Sequence, residues 1–300
     1  MSPPAGGAAW MDGRVVPLAE ARLHVTDWGL IHADIVYDVV PVWQGGFFRL
    51  PDYLARFRRS MMAAVLDPGL DDGAIRAALH DMVGASGLQD AYCAMVCSRG
   101  VPTVPGSRDP RDCANHFYAW CVPYVHVITP EIAARGAHLH IPEDVRRIPE
   151  ASVNPRAKNY HWGDFTRALL AAKERGFDNT LLMDAEGNMT EGPGTNLFAV
   201  RQGCVITPDR GVLEGITRRT VLEICADLGI ATEVRALPHA ELMEADEVFL
   251  SSSGGGPIPV SRIDGRIFSN DAPGPISRQL RETYWQWIQR PDFREDISYA

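Results

Sequence analysis

Two lysines, Lys158 and Lys173, stand in a chain of 300 residues that has 27 arginines. Arginine replaces lysine in surface charge, ion pairs and phosphate contacts, but it does not lose its proton near neutral pH. What only lysine offers is a primary amine that condenses with a carbonyl group to form a Schiff base. Lys173 lies among charged neighbours near a predicted helix end and is interpreted as solvated. Lys158 lies beside aromatic residues just before a helix, and it is the candidate Schiff-base lysine.

Two segments are candidate anion sites of the kind that a pyridoxal phosphate-type cofactor needs for its phosphate. A predicted helix begins near Gly215, so the backbone amides of Ile216 and Thr217 face outward as an anion cradle. The stretch 251–256 follows a predicted strand and offers serine hydroxyls and glycine backbone. An ordinary helix start and an ordinary loop also account for these two segments.

Glu191 is the candidate partner for the ring nitrogen of such a cofactor. It lies in the glycine-rich stretch 190–198, where the small residues allow a carboxylate to approach a ligand closely. A carboxylate there keeps a pyridinium nitrogen protonated and strengthens its withdrawal of electrons. An exposed glutamate on a β-turn accounts for this stretch equally well.

The chain resembles the class IV aminotransferases in three stretches that occur in order, 158–160, 190–198 and 211–218. These are the fold-type IV pyridoxal phosphate enzymes. They include branched-chain and D-amino acid aminotransferases, aminodeoxychorismate lyase and (R)-selective amine transaminases. The resemblance extends from Gly6 over nearly the whole chain. Four segments are similar to the (R)-selective amine:pyruvate transaminases in particular: 27–34, 122–124, 158–164 and 207–213.

The resemblance implies an α/β (α+β) fold of two domains, with pyridoxal 5'-phosphate at the domain junction. Lys158 is then the catalytic residue, which forms the Schiff base and moves the proton between the substrate Cα and the cofactor. Glu191 pairs with the pyridine nitrogen, and Arg56 matches the phosphate-binding arginine. The remaining implied cofactor contacts are Asn196, Leu213, Ile216, Thr217, Ser252 and Ser253.

The same resemblance implies a substrate pocket lined by His32, Tyr37, Tyr92, Arg108, Trp162, Thr195 and Gly254. Arg108 is placed like the mobile loop arginine that pairs with an acceptor's carboxylate, a role that suits a bidentate guanidinium. A solvated loop arginine is the alternative for Arg108, and an ordinary core is the alternative for Tyr37 and Trp162. Thr195 stands where the amine transaminases usually carry phenylalanine, which changes the pocket and leaves the cofactor chemistry intact.

The predicted reaction moves an amino group from an (R)-configured amine or amino acid to a 2-oxo acid such as pyruvate by a ping-pong mechanism. A branched-chain or D-amino acid aminotransferase is the alternative within the family, followed by aminodeoxychorismate lyase. A catalytically silent scaffold that retains the fold is the alternative outside enzymes, but a scaffold does not need the amine of Lys158. The family also implies a homodimer with its site near the subunit boundary.

Composition argues against several classes of function. The formal net charge of −9 disfavours nucleic acid and anionic membranes as partners. No apolar run reaches the length of a transmembrane helix, and residues 1–9 lack the pattern of a signal peptide. The 6 cysteines and 9 histidines show no metal-ligand spacing, which predicts no metal site and a reducing, cytoplasmic location.

The elements that must position these residues form two predicted domains, 1–145 after a short flexible tail and 158–300, joined by a linker at 146–157. Asp-Gly pairs predict hairpins at residues 12–13 and 264–265. Apolar residues at helical spacing, Leu54, Phe57, Met61, Met62 and Val65, predict a helix from Pro51. Other strands are predicted at 35–43, 92–98, 116–127, 195–200, 203–206 and 246–252. A polar loop is predicted at 99–115, and further helices at 71–85, from after Lys158 to 176, at 217–228 and from 274 onward.

Overall fold

The computed structural model describes residues 6–299, so the start of the predicted flexible tail lies outside the described residues. The strands are β1 (Ala8–Met11), β2 (Arg14–Pro17), β3 (Ile35–Trp43), β4 (Gly46–Phe48), β5 (Ala91–Pro102), β6 (Cys113–Pro123), β7 (Ala137–His140), β8 (Asn179–Thr180), β9 (Glu191–Gly192), β10 (Thr195–Arg201), β11 (Cys204–Thr207), β12 (Thr232–Val234), β13 (Glu247–Ser252), β14 (Gly256–Ile263), β15 (Arg266–Ile267) and β16 (Arg294–Asp296). The helices are α1 (Trp28–His32), α2 (Leu50–Ala63), α3 (Asp72–Ser86), α4 (Pro130–Arg135), α5 (Gly163–Glu174), α6 (Ile216–Asp227), α7 (His239–Met243) and α8 (Pro275–Trp287). Over the described residues, no helix is both long enough and apolar enough to cross a membrane.

The chain forms two compact units. The first contains the described residues of Met1–Val125, Ala157–Tyr160 and Ile288–Ala300, and the second contains His126–Arg156 and His161–Trp287. These boundaries differ from the predicted division at 146–157. The segment with Lys158 belongs to the first unit because its carbonyl accepts a hydrogen bond from Tyr37 in β3, and the C-terminal residues belong there because β16 pairs with β4.

The first unit contains an antiparallel sheet with the strand order β16-β4-β3-β5-β6-β1-β2. The predicted hairpin at Asp12-Gly13 joins β1 to β2, and both turn residues have positive φ, 51° and 80°. β3 coincides with the predicted strand at 35–43, and every residue in it except Trp43 is buried. Its β-branched and aromatic side chains suit a strand that is covered on both faces.

The helix predicted from Pro51 is confirmed as α2, but fewer of its apolar residues are buried than the spacing predicted. Leu54, Phe57 and Met61 are buried, whereas Met62 and Val65 are 70% and 80% exposed. The helix ends at Ala63, and Val65 has a φ of 53° outside it. Val65 therefore no longer follows the helical periodicity that placed it on the buried face.

The second unit contains a mixed sheet with the strand order β12-β11-β10-β13-β14-β7-β8, in which β15 pairs with β14 and β9 with β10. The β11–β12, β14–β7 and β7–β8 pairs are parallel. Its core includes Leu197 of β10, Val248 of β13 and Ile258 of β14, each at most 1% exposed. The predicted strands at 195–200, 203–206 and 246–252 and the helix at 217–228 are confirmed within one or two residues.

The predicted polar loop at 99–115 is too long. β5 continues to Pro102 and β6 begins at Cys113, after a register irregularity between Ser98 and Val101, so only residues 103–112 connect the two strands. Polar residues are compatible with a strand end that lies at the surface, so their composition concealed the pairing. Cys93, Cys97 and Cys121 are buried free thiols, as their apolar surroundings predicted.

Candidate active site

Lys158 is anchored through its main chain to two elements of the first unit. Its backbone N–H donates to the Ser60 hydroxyl of α2 at 3.1 Å, and its carbonyl accepts from the Tyr37 N–H of β3 at 3.0 Å. The neighbouring Asn159 forms a single antiparallel bridge with Val36. A short connection without regular structure therefore holds the lysine as firmly as a strand would.

The side chain of Lys158 lies in an aromatic environment. Its Nζ is 4.5 Å from the centre of the Tyr37 ring, and that ring lies 4.2 Å from the ring of Tyr160. Tyr92 stacks on Trp120 with 5.6 Å between ring centres. Burial, reinforced by the neighbouring phenols, raises the pKa of both Tyr92 and Tyr160 well above the ordinary value of 10.0. These phenols therefore remain protonated and neutral at physiological pH.

Arg56 lies on α2 and pairs with a buried carboxylate of β3. Its Nε donates to Asp38 Oδ2 at 2.8 Å, and one Nη donates to Asp38 Oδ1 at 2.6 Å. Burial alone would lower the pKa of Arg56, but the Asp38 carboxylate outweighs it and raises that pKa. This bidentate pair fixes the direction of the guanidinium.

His32 and Arg108, two predicted pocket residues of the first unit, are exposed. His32 ends α1 and meets Trp28 edge-on with 4.6 Å between ring centres. Arg108 makes no hydrogen bond or ion pair with any other residue in 6–299, and it lies in a loop stiffened by the Ser107–Asp112 and Asp109–Arg111 contacts. The loop thus presents Arg108 to solvent.

Glu191, Asn196 and Leu213 form one hydrogen-bonded group in the second unit. β9 pairs with β10, which places Asn196 opposite Glu191. The Leu213 N–H donates to Glu191 Oε2 at 2.9 Å, and Asn196 Nδ2 donates to the Leu213 carbonyl at 2.8 Å. Glu191 is only 6% exposed, which excludes an exposed glutamate on a turn.

Arg147 and Asp164 extend this group, and sequence reasoning missed both. Arg147 donates to Asp164 Oδ2 at 2.7 Å and to Glu191 Oε1 at 3.4 Å. Its guanidinium also lies 4.2 Å from the centre of the Phe165 ring. Arg147 is one of 27 arginines and lies 44 residues from Glu191 in a proline-rich stretch, so no spacing signal indicated it.

The start of α6 has the features of the predicted anion cradle. Its first residue is Ile216, and the capping residue Gly215 supplies no side-chain hydrogen bond. A Cβ at Gly215 would lie 2.1 Å from Asn196 Oδ1, so only glycine fits this approach. The Thr217 hydroxyl is buried without a hydrogen-bond partner among the described residues. These are the donors that an anion at a helix N-terminus requires.

The remaining predicted residues of the second unit are close to the end of β13 or to β10. The Ser252 hydroxyl accepts from the Gly254 N–H at 3.1 Å. Ser253 follows in the same turn and is partly buried. The Thr195 hydroxyl is buried and, among residues 6–299, has no hydrogen-bond partner. Trp162 packs edge-on against Phe165 at 5.5 Å, on the side of a small core cluster.

Comparison with known proteins decides the family. Residues 35–263 match the family described as amino-transferase class IV. The chain belongs to this family. A putative branched-chain-amino-acid aminotransferase of Methanocaldococcus jannaschii is 28% identical over 92% of this chain and 94% of its own. The D-alanine aminotransferase of Bacillus licheniformis is 26% identical over 90% of this chain and 93% of its own.

Solved structures of branched-chain amino acid aminotransferases share the fold. The T.th. branched-chain amino acid aminotransferase with pyridoxamine 5'-phosphate has a TM-score of 0.90 and 27% identity, covering 97% of this chain and 99% of that chain. The branched-chain enzyme of Thermoproteus uzoniensis with norvaline has a TM-score of 0.88 and 29% identity at the same coverage. The chain is therefore a pyridoxal phosphate-dependent aminotransferase of fold type IV.

The side chains of the second unit fit this cofactor. The unpartnered hydroxyl of Thr217 and the uncapped start of α6 suit a phosphate. The buried Glu191 carboxylate suits a protonated ring nitrogen. Among residues 6–299, no three His, Cys, Asp or Glu side chains are grouped as a metal ion would require.

Proposed function

We propose that this aminotransferase moves an amino group from an (R)-configured amine or amino acid to a 2-oxo acid such as pyruvate in a ping-pong cycle. The observation that carries the proposal is the aromatic environment of Lys158, with its Nζ 4.5 Å from the Tyr37 ring centre. Aromatic walls favour the aryl or alkyl group of an uncharged amine, because they bury its apolar surface. The similarity of residues 27–34 and 158–164 to the (R)-selective transaminases supports the same donor.

Arg108 supports a 2-oxo acid as the acceptor. It is exposed, and the charge of its guanidinium is not neutralised by any carboxylate in residues 6–299. A guanidinium recognises a carboxylate through two parallel hydrogen bonds. Arg56 is less suited to that task, because Asp38 already occupies two of its donors.

Pyridoxal phosphate, when bound, supplies an electrophilic carbonyl group and a ring that withdraws electrons. Lys158 would hold it through its primary amine and would move a proton at the substrate Cα. Ser60 and Tyr37 fix the lysine's main chain, so only its side chain needs to move between these tasks. Glu191 would hold the ring nitrogen, with Asn196 as its support. The ring wall and the phosphate contacts would be provided by Leu213, Ile216, Thr217, Ser252, Ser253 and Arg56.

A branched-chain or D-amino acid donor is the second candidate, and the relatives favour it. The M. jannaschii and B. licheniformis proteins bear the names of a branched-chain and a D-alanine aminotransferase. Both donors carry a carboxylate next to the amino group, so they require a cation in the donor pose as well as in the acceptor pose. This requirement separates them from a simple amine.

A half-reaction screen tests the donor. The holoenzyme is mixed with (R)-1-phenylethylamine, (S)-1-phenylethylamine, D-alanine or L-leucine, and the loss of the cofactor's visible absorbance is followed. We expect the (R)-amine to react at least about 100-fold faster than the (S)-amine, because the wrong enantiomer clashes with a rigid wall. Pyruvate should restore the band. A response to L-leucine alone would overturn the proposal.

We also infer a homodimer in the cytoplasm, as the family resemblance implies. The expected species in sedimentation at micromolar concentration is a dimer that dissociates together with loss of turnover. A fully active monomer would contradict a site at the subunit boundary.

A further inference from the structure

Three consecutive glycines, at residues 254–256, close the hairpin that joins β13 to β14. Glycine loses more conformational freedom on folding than any other residue, so a run of three needs contacts from elsewhere to hold one conformation. Gly255 and Gly256 have φ values of 145° and 64°, which side chains disfavour. Ser252 and Ser253, the proposed phosphate contacts, directly precede these glycines, so whatever orders the glycines also places the two serines.

Arg281 of α8 anchors the main chain on both sides of Gly256. One of its Nη atoms donates to the Gly255 carbonyl at 3.0 Å and to the Pro257 carbonyl at 2.6 Å. An Nη atom carries two hydrogens, so it serves both carbonyls at once. Because a peptide group is planar, a fixed carbonyl also fixes the direction of the N–H that follows it. Arg281 therefore orients two peptide groups of the hairpin.

Tyr284, one turn further along α8, supports the same hairpin by packing. A Cβ at Gly256 would lie 2.6 Å from Tyr284 Cδ1, so only glycine allows the main chain to approach α8 this closely. Residues three positions apart lie on the same face of a helix, so Arg281 and Tyr284 both face the hairpin. Tyr284 is fully buried, which makes this face of α8 a firm support.

The first glycine of the run is held by neutral groups and in turn orients Ser252. The Val127 N–H donates to the Gly254 carbonyl at 2.9 Å, and the Gly254 N–H donates to the Ser252 hydroxyl at 3.1 Å. A hydroxyl that accepts one hydrogen bond still has its own hydrogen to donate, which suits an anion. The direction of the Ser252 hydroxyl thus depends on the conformation of the glycine run.

We propose that Arg281 is a positioning residue that orders the glycine run and so holds Ser252 and Ser253 where they bind the phosphate of the cofactor. This inference rests on the proposed role of the two serines as phosphate contacts. The resemblance to the family assigns no role to Arg281. Because its two hydrogen bonds to the hairpin go to main-chain carbonyls, Arg281 affects the phosphate through the conformation of the hairpin.

The test uses the apoprotein and two ligands, pyridoxamine 5'-phosphate and pyridoxamine, which differ only in the phosphate and do not condense with lysine. The ratio of the two dissociation constants isolates the interaction with the phosphate. We expect Arg281→Met to reduce the preference for the phosphorylated ligand about tenfold, the typical effect of losing a hydrogen bond from a charged donor. Affinity for pyridoxamine should change less than about twofold. A merely structural role of Arg281 would weaken the binding of both ligands equally.

Two further variants on α8 control for this substitution. Arg278→Met is the matched control, because Arg278 also donates to a main-chain carbonyl, that of Pro273, but is exposed. It should leave the ratio of dissociation constants unchanged. Arg281→Lys keeps a charged donor at the same position and should retain most of the preference for the phosphorylated ligand.

A double variant, Ser252→Ala with Ser253→Ala, separates the possible failures. If Arg281→Met weakens both ligands equally, or leaves the ratio unchanged, the positioning role is overturned. If the double variant leaves the ratio unchanged, the proposed phosphate role of the two serines fails. If the double variant lowers the preference while Arg281→Met does not, only the role of Arg281 fails. Circular dichroism of each apoprotein confirms that it is folded.

Discussion

The residues around Lys158 and those around Glu191 are built on different physical principles. Lys158 is held through its main chain, by Ser60 and Tyr37, and its side chain lies among neutral aromatic rings. Glu191 is held through its side chain, by an arginine, an asparagine and a backbone N–H. Aromatic walls provide shape and exclude water, whereas a preorganised polar network provides fixed charge. We therefore expect the Lys158 group to govern chemistry and donor choice, and the second-unit group to govern cofactor affinity.

Lys158→Ala is expected to have the largest effect. Turnover should fall by about 1,000-fold or more, because alanine offers no primary amine to form the Schiff base. Unfolding of the apoprotein should change by less than ~1 kcal/mol, since Lys158 is held by its backbone. Steady-state rates and denaturant unfolding measure the two quantities.

Lys173→Ala is the matched control for that experiment. Lys173 Nζ donates to the Asp178 carbonyl on an exposed helix end, and no role in the reaction is proposed for it. The Lys173→Ala variant should retain the wild-type rate of turnover. Turnover by Lys158→Ala at the wild-type rate would contradict the expectation that the residues around Lys158 govern the chemistry.

Gly215→Ala tests the polar group around Glu191, where the close approach of Asn196 to Gly215 leaves no room for a methyl group. The added Cβ would lie 2.1 Å from Asn196 Oδ1, so Asn196 must move away from Glu191 and Leu213. We expect a loss of about 1–3 kcal/mol in the free energy of unfolding, together with weaker cofactor binding. Gly163→Ala also lies at a helix start, but no atom lies within 4 Å of the new Cβ, so it should be neutral. Equal behaviour of the two variants would argue against the tight approach.

Thr217→Val should separate stability from cofactor affinity. The Thr217 hydroxyl is buried and, among the described residues, unpartnered, so its removal should stabilise the apoprotein by ~1 kcal/mol. Binding of pyridoxal phosphate should weaken about tenfold, because a hydrogen bond to a charged group is lost. The Thr220 hydroxyl, in contrast, donates to the Ile216 carbonyl at 2.9 Å. Thr220→Val should therefore destabilise the apoprotein without weakening its binding of pyridoxal phosphate. Unchanged affinity in Thr217→Val would remove that hydroxyl from the anion cradle.

Tyr92→Phe should have the smallest effect, and only in alkali. Burial raises the pKa of Tyr92 above its ordinary value of 10.0, so the folded state retains a proton that the unfolded state loses. The stability that this raised pKa contributes to the folded state is complete below pH 10 and declines as the pH rises above 10. Relative to its value at pH 8, the free energy of unfolding at pH 10.5 should therefore be up to ~1 kcal/mol lower in the wild type than in Tyr92→Phe. An identical pH dependence in both proteins would indicate a solvated phenol.

Much of the fold was predictable because local periodicity and turn chemistry agree with it. β3 and the hairpin at residues 12–13 follow directly from side-chain type, and α2 follows from its apolar spacing. The strand ends around residues 99–115 were not predictable, because cross-strand pairing sustains them against their polar composition. Val65 was misplaced because the end of a helix depends on local backbone geometry as well as on pattern.

The candidate site likewise contains some residues that the sequence indicated and others that it did not. Lys158 was indicated by the scarcity of lysine, and Glu191 by the glycine-rich stretch around it. Arg147 and Asp164 were not, because an arginine in a proline-rich segment and an aspartate at a helix start are common features. Only the series of contacts from Asp164 to Arg147 and from Arg147 to Glu191 distinguishes them.

The sequence by itself determined which residues can do chemistry: a primary amine that arginine does not replace, a carboxylate among glycines, and a helix start without a side-chain cap. The tertiary structure decided how each group is held and how much charge it keeps. Asp38 pairs with Arg56 through two hydrogen bonds, whereas Arg147 lies 2.7 Å from Asp164 and 3.4 Å from Glu191. Electrostatic interactions depend on distances of a few ångströms between residues far apart in the chain, and residue type and spacing do not encode those distances.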